Sequence, residues 1–333
     1  NEGSRTPFSQ AIDMFENFLS KFPNSKYADE VREHMIALYV SGNDYKKALE
    51  SISRIKKPSN KVLAAKQSVL YNLGITALSN DNIDEAEKYL LQARKISEYN
   101  LALDTQVSLW LGECAYRKGA FAQAAKYQNE FLQETGAKDK NYSLGYYNLG
   151  YTRFQQRKYV DARNAFTKAL SGNQLSEDLA NDANNRIGDT YYYAGNIKTA
   201  QKYYEKSSGD YAIYQKGMML GLAKNYSGKI EQLKTMISKY PSSSLVPMAM
   251  LEEADAYVNL NKNKQAIAVY NELIEKYQNN AYARKGMLNK AITERNSKNE
   301  ASAIEAYKDV IKKYPTSEEA NIALEDLKLI YAD

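Results

Sequence analysis

Few residues in this chain could do covalent or metal chemistry. His34 and Cys114 are the only histidine and the only cysteine among 333 residues. A histidine-based triad, a His/Cys metal cluster and a disulfide framework are therefore excluded by counting. His34 falls in an amphipathic stretch over 29–40, with no nucleophile or orienting partner spaced to use it. Cys114 follows Gly112-Glu113 in an apolar stretch, where a free thiol behaves as a small buried apolar group. The carboxylate pairs Glu252-Glu253 and Glu318-Glu319 are neighbours in sequence and do not share a helical face. They read as solvated acids or as helix-start acids that favour the helix dipole. No phosphate-loop, H-E-x-x-H or EF-hand pattern occurs. No catalytic, cofactor-binding or metal-ligating residue is assigned, and the chain reads as non-enzymatic.

The remaining chemistry is that of aromatic surfaces. The chain has 29 tyrosines. Tyr147, Tyr151 and Phe154 recur at spacings of four and three, which puts them on one face of a helix, and Tyr192 and Tyr193 form a second cluster further on. Such a face suits an extended or helical segment of a partner. Tyr is equally at home half-buried in a helix contact, so a purely structural role stays open beside the functional one.

Composition narrows the partner class. Lys+Arg number 45 against 40 Asp+Glu, a net charge of +5. The basic residues are scattered pairs such as Lys46-Lys47, Lys56-Lys57 and Lys312-Lys313, not a stripe interleaved with stacking aromatics, so no nucleic-acid partner is expected. Mean hydropathy is −0.63 and no run of 18 apolar residues exists, so no membrane-spanning segment is expected. Residue 1 is Asn and no signal-peptide pattern follows, so the chain reads as processed or as a piece of a longer one.

The elements that must position these aromatics repeat along the chain. Ala11, Ala48, Ala86, Ala124, Ala162, Ala200, Ala266 and Ala303 fall into one frame, 37 or 38 residues apart except between Ala200 and Ala266, where Lys229 takes the Ala place. Twelve residues earlier stand Gly74, Gly112, Gly150 and Gly188, and four residues after the Ala comes a large apolar residue: Phe15, Ile52, Leu90, Phe166, Tyr204, Tyr270, Tyr307. Apolar spacing of three and four on both sides of a polar turn predicts an antiparallel helix pair. Gly on the first helix and Ala on the second allow close approach, and the bulky residue fills the space beside that contact. One pair cannot bury its own apolar faces, so the pairs must stack.

The runs Leu73-Gly74…Ala86…Ala93, Leu149-Gly150…Ala162…Phe166…Ala169 and Ile187-Gly188…Tyr191…Ala200…Tyr204 resemble the tetratricopeptide repeat (TPR). The resemblance covers nearly the whole chain, with units longer than the usual 34 residues. It implies an all-α fold, a right-handed α-α superhelical solenoid of about eight to nine TPR-like helix pairs. The endings Phe22-Pro23-Asn24-Ser25, Tyr240-Pro241-Ser242-Ser243 and Tyr314-Pro315-Thr316-Ser317 are similar to those of bacterial cell-envelope TPR proteins, of the outer-membrane assembly lipoprotein and periplasmic cell-division coordinator type. In this family the first helices line the groove. The resemblance implies, from positions counted off each signature Gly, the groove residues Tyr71, Glu113, Tyr116, Tyr147, Tyr151, Phe154, Asn185, Asp189, Tyr192 and Tyr193. Glu113, Asp189 and Asp255 make that groove more acidic than the chain as a whole, suited to a segment with apolar anchors and Lys or Arg. A carboxylate clamp of the co-chaperone kind is not expected: Asn148 and Arg186 fit it, but Leu109, Glu113 and Asp182 stand where its other polar and basic residues belong.

The short spacing around Ser207-Ser208-Gly209-Asp210 predicts a junction between an N-terminal array over 1–206 and a C-terminal array over 210–333, the latter ending in a lone helix. Residues 8–22 read as a second helix without its first. The expected function is a non-enzymatic protein–protein interaction scaffold that binds a peptide or protein segment in its groove, without a cofactor. It is placed in a bacterial cell envelope or periplasm, with a cytoplasmic location open. The alternatives are a structural spacer in a larger TPR protein and a glycan or small-ligand binder.

Overall fold

The computed structural model describes residues 8–332. Of these, 78% are helical and none lies in a strand. α1 (Ser9–Lys21) stands alone. Eight pairs follow: α2 (Ala28–Ser41) with α3 (Tyr45–Ser53), α4 (Asn60–Ser79) with α5 (Ile83–Arg94), α6 (Leu101–Arg117) with α7 (Phe121–Glu134), α8 (Tyr142–Gln155) with α9 (Tyr159–Ser171), α10 (Glu177–Tyr193) with α11 (Ile197–Glu205), α12 (Asp210–Leu222) with α13 (Tyr226–Lys239), α14 (Val246–Asn259) with α15 (Asn263–Lys276), and α16 (Ala281–Asn296) with α17 (Glu300–Lys313). α18 (Glu318–Ala332) closes the described chain. The described residues form two compact units, divided between Leu175 and Ser176. The turn-rich stretch at 207–210 connects α11 to α12 within the second unit.

The turn inside each pair is built the same way. Its pivot is a left-handed residue: Asn43, Asp81, Gly119, Arg157, Gly195, Lys224, Asn261 or Lys298, with φ between 58 and 77°. The next residue's N–H reaches back five residues to a carbonyl of the first helix, as in Asn82 to Ala77 (2.8 Å) and Asn225 to Leu220 (2.8 Å). This hydrogen bond satisfies a carbonyl that the helix end would otherwise orphan, which is the Schellman arrangement. Several first helices begin on a capping side chain: Ser59 accepts from the Val62 N–H, Asn100 from Leu103 and Ser176 from Leu179.

Packing follows the Gly/Ala frame. Ala48, Ala86, Ala124, Ala162, Ala200, Ala266 and Ala303 are all fully buried. A Cβ on Gly150 would lie 2.8 Å from the Phe166 ring, and one on Gly188 2.6 Å from the Tyr204 ring, so the bulky residue of the second helix occupies the volume a side chain would need. Lys229 fits the Ala place by laying its stem against Gly221 and pairing its ammonium with Glu252 at 2.6 Å. In the first unit α4 touches α6 and α6 touches α8; in the second α14 touches α16 and α16 touches α18. Within each unit these first helices form one layer, and the second helices pack behind them.

Candidate partner-binding site

The first-helix layer of the first unit brings together the residues expected there. The Trp110 indole N–H on α6 donates to the Tyr71 hydroxyl on α4 at 3.0 Å. Tyr116 on α6 meets Tyr151 on α8 edge to face, with ring centroids 6.5 Å apart, and its hydroxyl accepts from Gln155 at 3.4 Å. Tyr147 and Tyr151 lie 5.2 Å apart and both pack edge-on against Phe166, at 5.9 and 5.3 Å. Phe154 packs on Tyr159 across the α8–α9 turn at 5.4 Å. These edge-to-face contacts fix the rings beyond what area burial alone would do.

Between α6 and α8 the layer opens into a cleft of about 400 Å³, lined by Trp110, Glu113, Tyr116, Gln128, Leu144, Tyr147, Asn148 and Tyr151. Four of these eight residues are aromatic. Glu113 accepts from Arg117 at 2.6 Å, so its charge is already partnered. The cleft's floor is the Gln128 side chain of α7. It is fully buried, and neither its Oε1 nor its Nε2 has a hydrogen-bond partner. Trp110 and Gln128 were not among the expected groove residues. The signal for Gln128 is visible in the repeat itself, because it stands where the neighbouring units carry Leu90 and Phe166. Leu109, which stands at one of the clamp positions, is fully buried, and Trp110 next to it lines the cleft instead.

The second unit uses its expected residues differently. Asn185 and Asp189 on α10 are 6% and 5% exposed. The Ser207 hydroxyl donates to Asn185 (2.7 Å), and the Tyr204 and Tyr211 hydroxyls donate to Asp189 (2.6 and 2.9 Å), which also pairs with Arg186 at 2.7 Å. Burial raises the Asp189 carboxyl above its ordinary value, while Arg186 and the two hydroxyls pull it back down. Tyr211 is pushed up to about 12, by burial first and the Asp189 charge second. Asp255 repeats the pattern as acceptor for Tyr270 and Asn289. The expectation that Asp189 and Asp255 supply open negative charge is thus corrected: each is engaged in satisfying a tyrosine hydroxyl of the following helix. Arg186 is held likewise, by Asp189 and over the Tyr211 ring at 4.7 Å. Tyr192 and Tyr193, at the end of α10, are 39% and 59% exposed and pack on one another at 5.5 Å.

Cys114 and His34 both lie within packed helices. Cys114 is buried and burial pushes its thiol up to about 11, which keeps it protonated at neutral pH. His34 stacks on Phe15 at 6.1 Å. Among the described residues no group of three His, Cys, Asp or Glu could hold a metal ion, and no helix is long and apolar enough to cross a membrane.

The family model described as tetratricopeptide repeat matches residues 71–139, 147–213 and 251–318, more than half of the chain. The chain belongs to the tetratricopeptide repeat family. Among curated proteins no match is found. Solved TPR structures share the fold. The C-terminal part of a TPR repeat-containing protein from Cytophaga hutchinsonii aligns over 76% of this chain and 99% of its own, at 18% identity and a TM-score of 0.63. A TPR protein from Parabacteroides merdae aligns over 80% and 99%, at 18% identity and a TM-score of 0.52. A signal transduction ATPase with numerous domains and a TPR sensor, from Pyrococcus horikoshii, aligns over 96% of this chain and 57% of its own, at 14% identity and a TM-score of 0.63. At these identities the likeness is one of fold. TPR folds in general are protein-interaction scaffolds without catalytic function.

Proposed function

We propose that this TPR chain is a non-enzymatic scaffold that holds a peptide or protein segment against the first-helix layer of its first unit. The carrying observation is the cleft between α6 and α8, about 400 Å³ and walled by Trp110, Tyr116, Tyr147 and Tyr151. Aromatic walls of this kind give large contact area at low entropic cost and are the usual anchors of protein interfaces. The segment carries apolar or aromatic anchors. A preference for Lys or Arg has less support, because Asp189 and Asp255 are engaged internally and Glu113 is paired with Arg117. The aromatic-Pro-x-Ser repeat endings support a place in a bacterial cell envelope.

The test is a peptide-display selection against the intact chain, repeated with the Tyr116→Ala/Tyr151→Ala double variant. The expected result is a set of segments binding the parent and at least tenfold weaker to the variant, whose circular dichroism stays helical. Selected segments that bind both proteins equally, or glycans that bind where no peptide does, overturn the proposal.

A further inference from the structure

The α6–α7 pair departs from the repeat at one buried position. Four residues after the frame Ala, the other second helices place Ile52, Leu90, Phe166, Tyr204, Leu233, Tyr270 and Tyr307, each at most 3% exposed. After Ala124 the residue is Gln128, equally buried, with both polar atoms of its carboxamide unpartnered. Burying an amide without partners is costly, so its retention calls for an explanation. The same pair holds the cleft, and Gln128 is its floor.

Neighbouring repeats show what fills such a slot. Tyr204 and Tyr270 insert a phenol ring there, and each hydroxyl donates to the acid fifteen residues earlier, Asp189 and Asp255. Glu113 stands fifteen residues before Gln128, so the acid is present in the register while the ring is missing. In the α8–α9 pair the slot is filled by Phe166, which packs on Tyr147 and Tyr151; those two rings also wall the cleft.

We propose that the cleft over Gln128 receives a tyrosine side chain of the bound segment, which supplies from outside the ring that this repeat lacks. This deepens the peptide-binding reading above and rests on it. A phenol hydroxyl both donates and accepts, as the Gln128 carboxamide requires at Oε1 and Nε2 once this side chain, fully buried in the free protein, turns toward the cleft. The ring is enclosed by Trp110, Tyr116, Tyr147 and Tyr151, where edge-to-face packing is available on several sides.

Trp110 is the single tryptophan of the chain and lines the cleft, so its indole N–H resonance is an unambiguous probe there. The intact protein is titrated with N-acetyl-Gly-Tyr-Gly-amide, with its Phe, Leu and Arg counterparts, and with N-acetylglucosamine. The Tyr peptide is expected to move the Trp110 resonance saturably and to bind at least fivefold more tightly than the Phe peptide. Gln128→Phe, which copies the Gly150–Phe166 pair, is expected to abolish that shift while raising the melting temperature. Gln128→Leu, the residue type of Leu90 and Leu233, serves as a second filled variant with the same expectation. Equal binding of Tyr and Phe peptides, tighter binding of the Arg peptide or the sugar, or a shift that survives in both folded variants overturns the proposal. Selected segments that still bind Gln128→Phe but not the Tyr116/Tyr151 variant would leave the peptide-binding reading standing and remove the tyrosine anchor.

Discussion

At the scale of single residues, the first-helix acids Asp189 and Asp255 are explained by a tyrosine of the helix that follows each. A tyrosine at the bulky position needs an acceptor, and an Asp one place after the signature small residue provides it, in Tyr204–Asp189 and Tyr270–Asp255. Where the bulky residue is Leu90 or Phe166, that place holds Ile75 or Tyr151 instead. Close approach sets the second rule. Because a Cβ on Gly188 would sit 2.6 Å from the Tyr204 ring, Gly188→Leu is expected to destabilise by about 1–3 kcal/mol through overpacking. Thermal denaturation checks this, and an unchanged melting point would contradict the packing. Glu253 is 6% exposed, and burial raises its carboxyl from 4.5 to about 7, with Lys234 opposing and Glu272 reinforcing the shift. The folded state therefore keeps a proton between about pH 4.5 and 7 that the unfolded chain gives up, so stability is lost as pH rises through that window. Glu253→Gln should melt with the parent near pH 4.5 and above it beyond pH 7, by on the order of 2–3 kcal/mol. A difference that is constant across this range would refute the assignment.

At the scale of elements, eight helix pairs share one turn, and its cost depends on the residue at the left-handed pivot. Gly119 and Gly195 adopt φ of 75 and 77° without a Cβ penalty, whereas Lys224 is held at 61° with one. Lys224→Gly should stabilise by about 0.5–1 kcal/mol, and Gly195→Ala should destabilise by about 1 kcal/mol. Chemical denaturation of both variants provides the measurement, and effects of the same sign in the two would break the argument. Second helices bury the frame Ala and the bulky residue four positions on, Ala48 and Ile52 in α3 and Ala200 and Tyr204 in α11, and 9 residues suffice for that in each.

At the scale of the whole molecule, pairs that contact mainly their neighbours make stability a local property. α1 has no buried residue and α18 has four, Glu319, Ala320, Ala323 and Leu327. Amide hydrogen exchange should therefore be fastest in α1 and α18 and slowest in interior pairs such as α6–α7 and α14–α15. Uniform protection from end to end would mean that the chain unfolds as one cooperative body. The all-helical fold and the frame of the repeats were legible in the chain alone, since a sustained period of Ala, Gly and bulky residues permits only one way of burying them. Seven of the expected alanines are fully buried. The aromatics of α8 were legible too, because spacing on one helix determines which side chains share a face. What spacing could not decide is which face positions stay open. Asn185 and Asp189 lie on the groove register yet are closed off by Ser207, Tyr204 and Tyr211, residues 15 to 22 positions away on the next two helices and the turn between them. The cleft over Gln128 likewise exists only where α6, α7 and α8 meet. A repeat pattern specifies one unit against itself; openness and hydrogen-bond satisfaction are properties of the stack, and only the packed helices determine them.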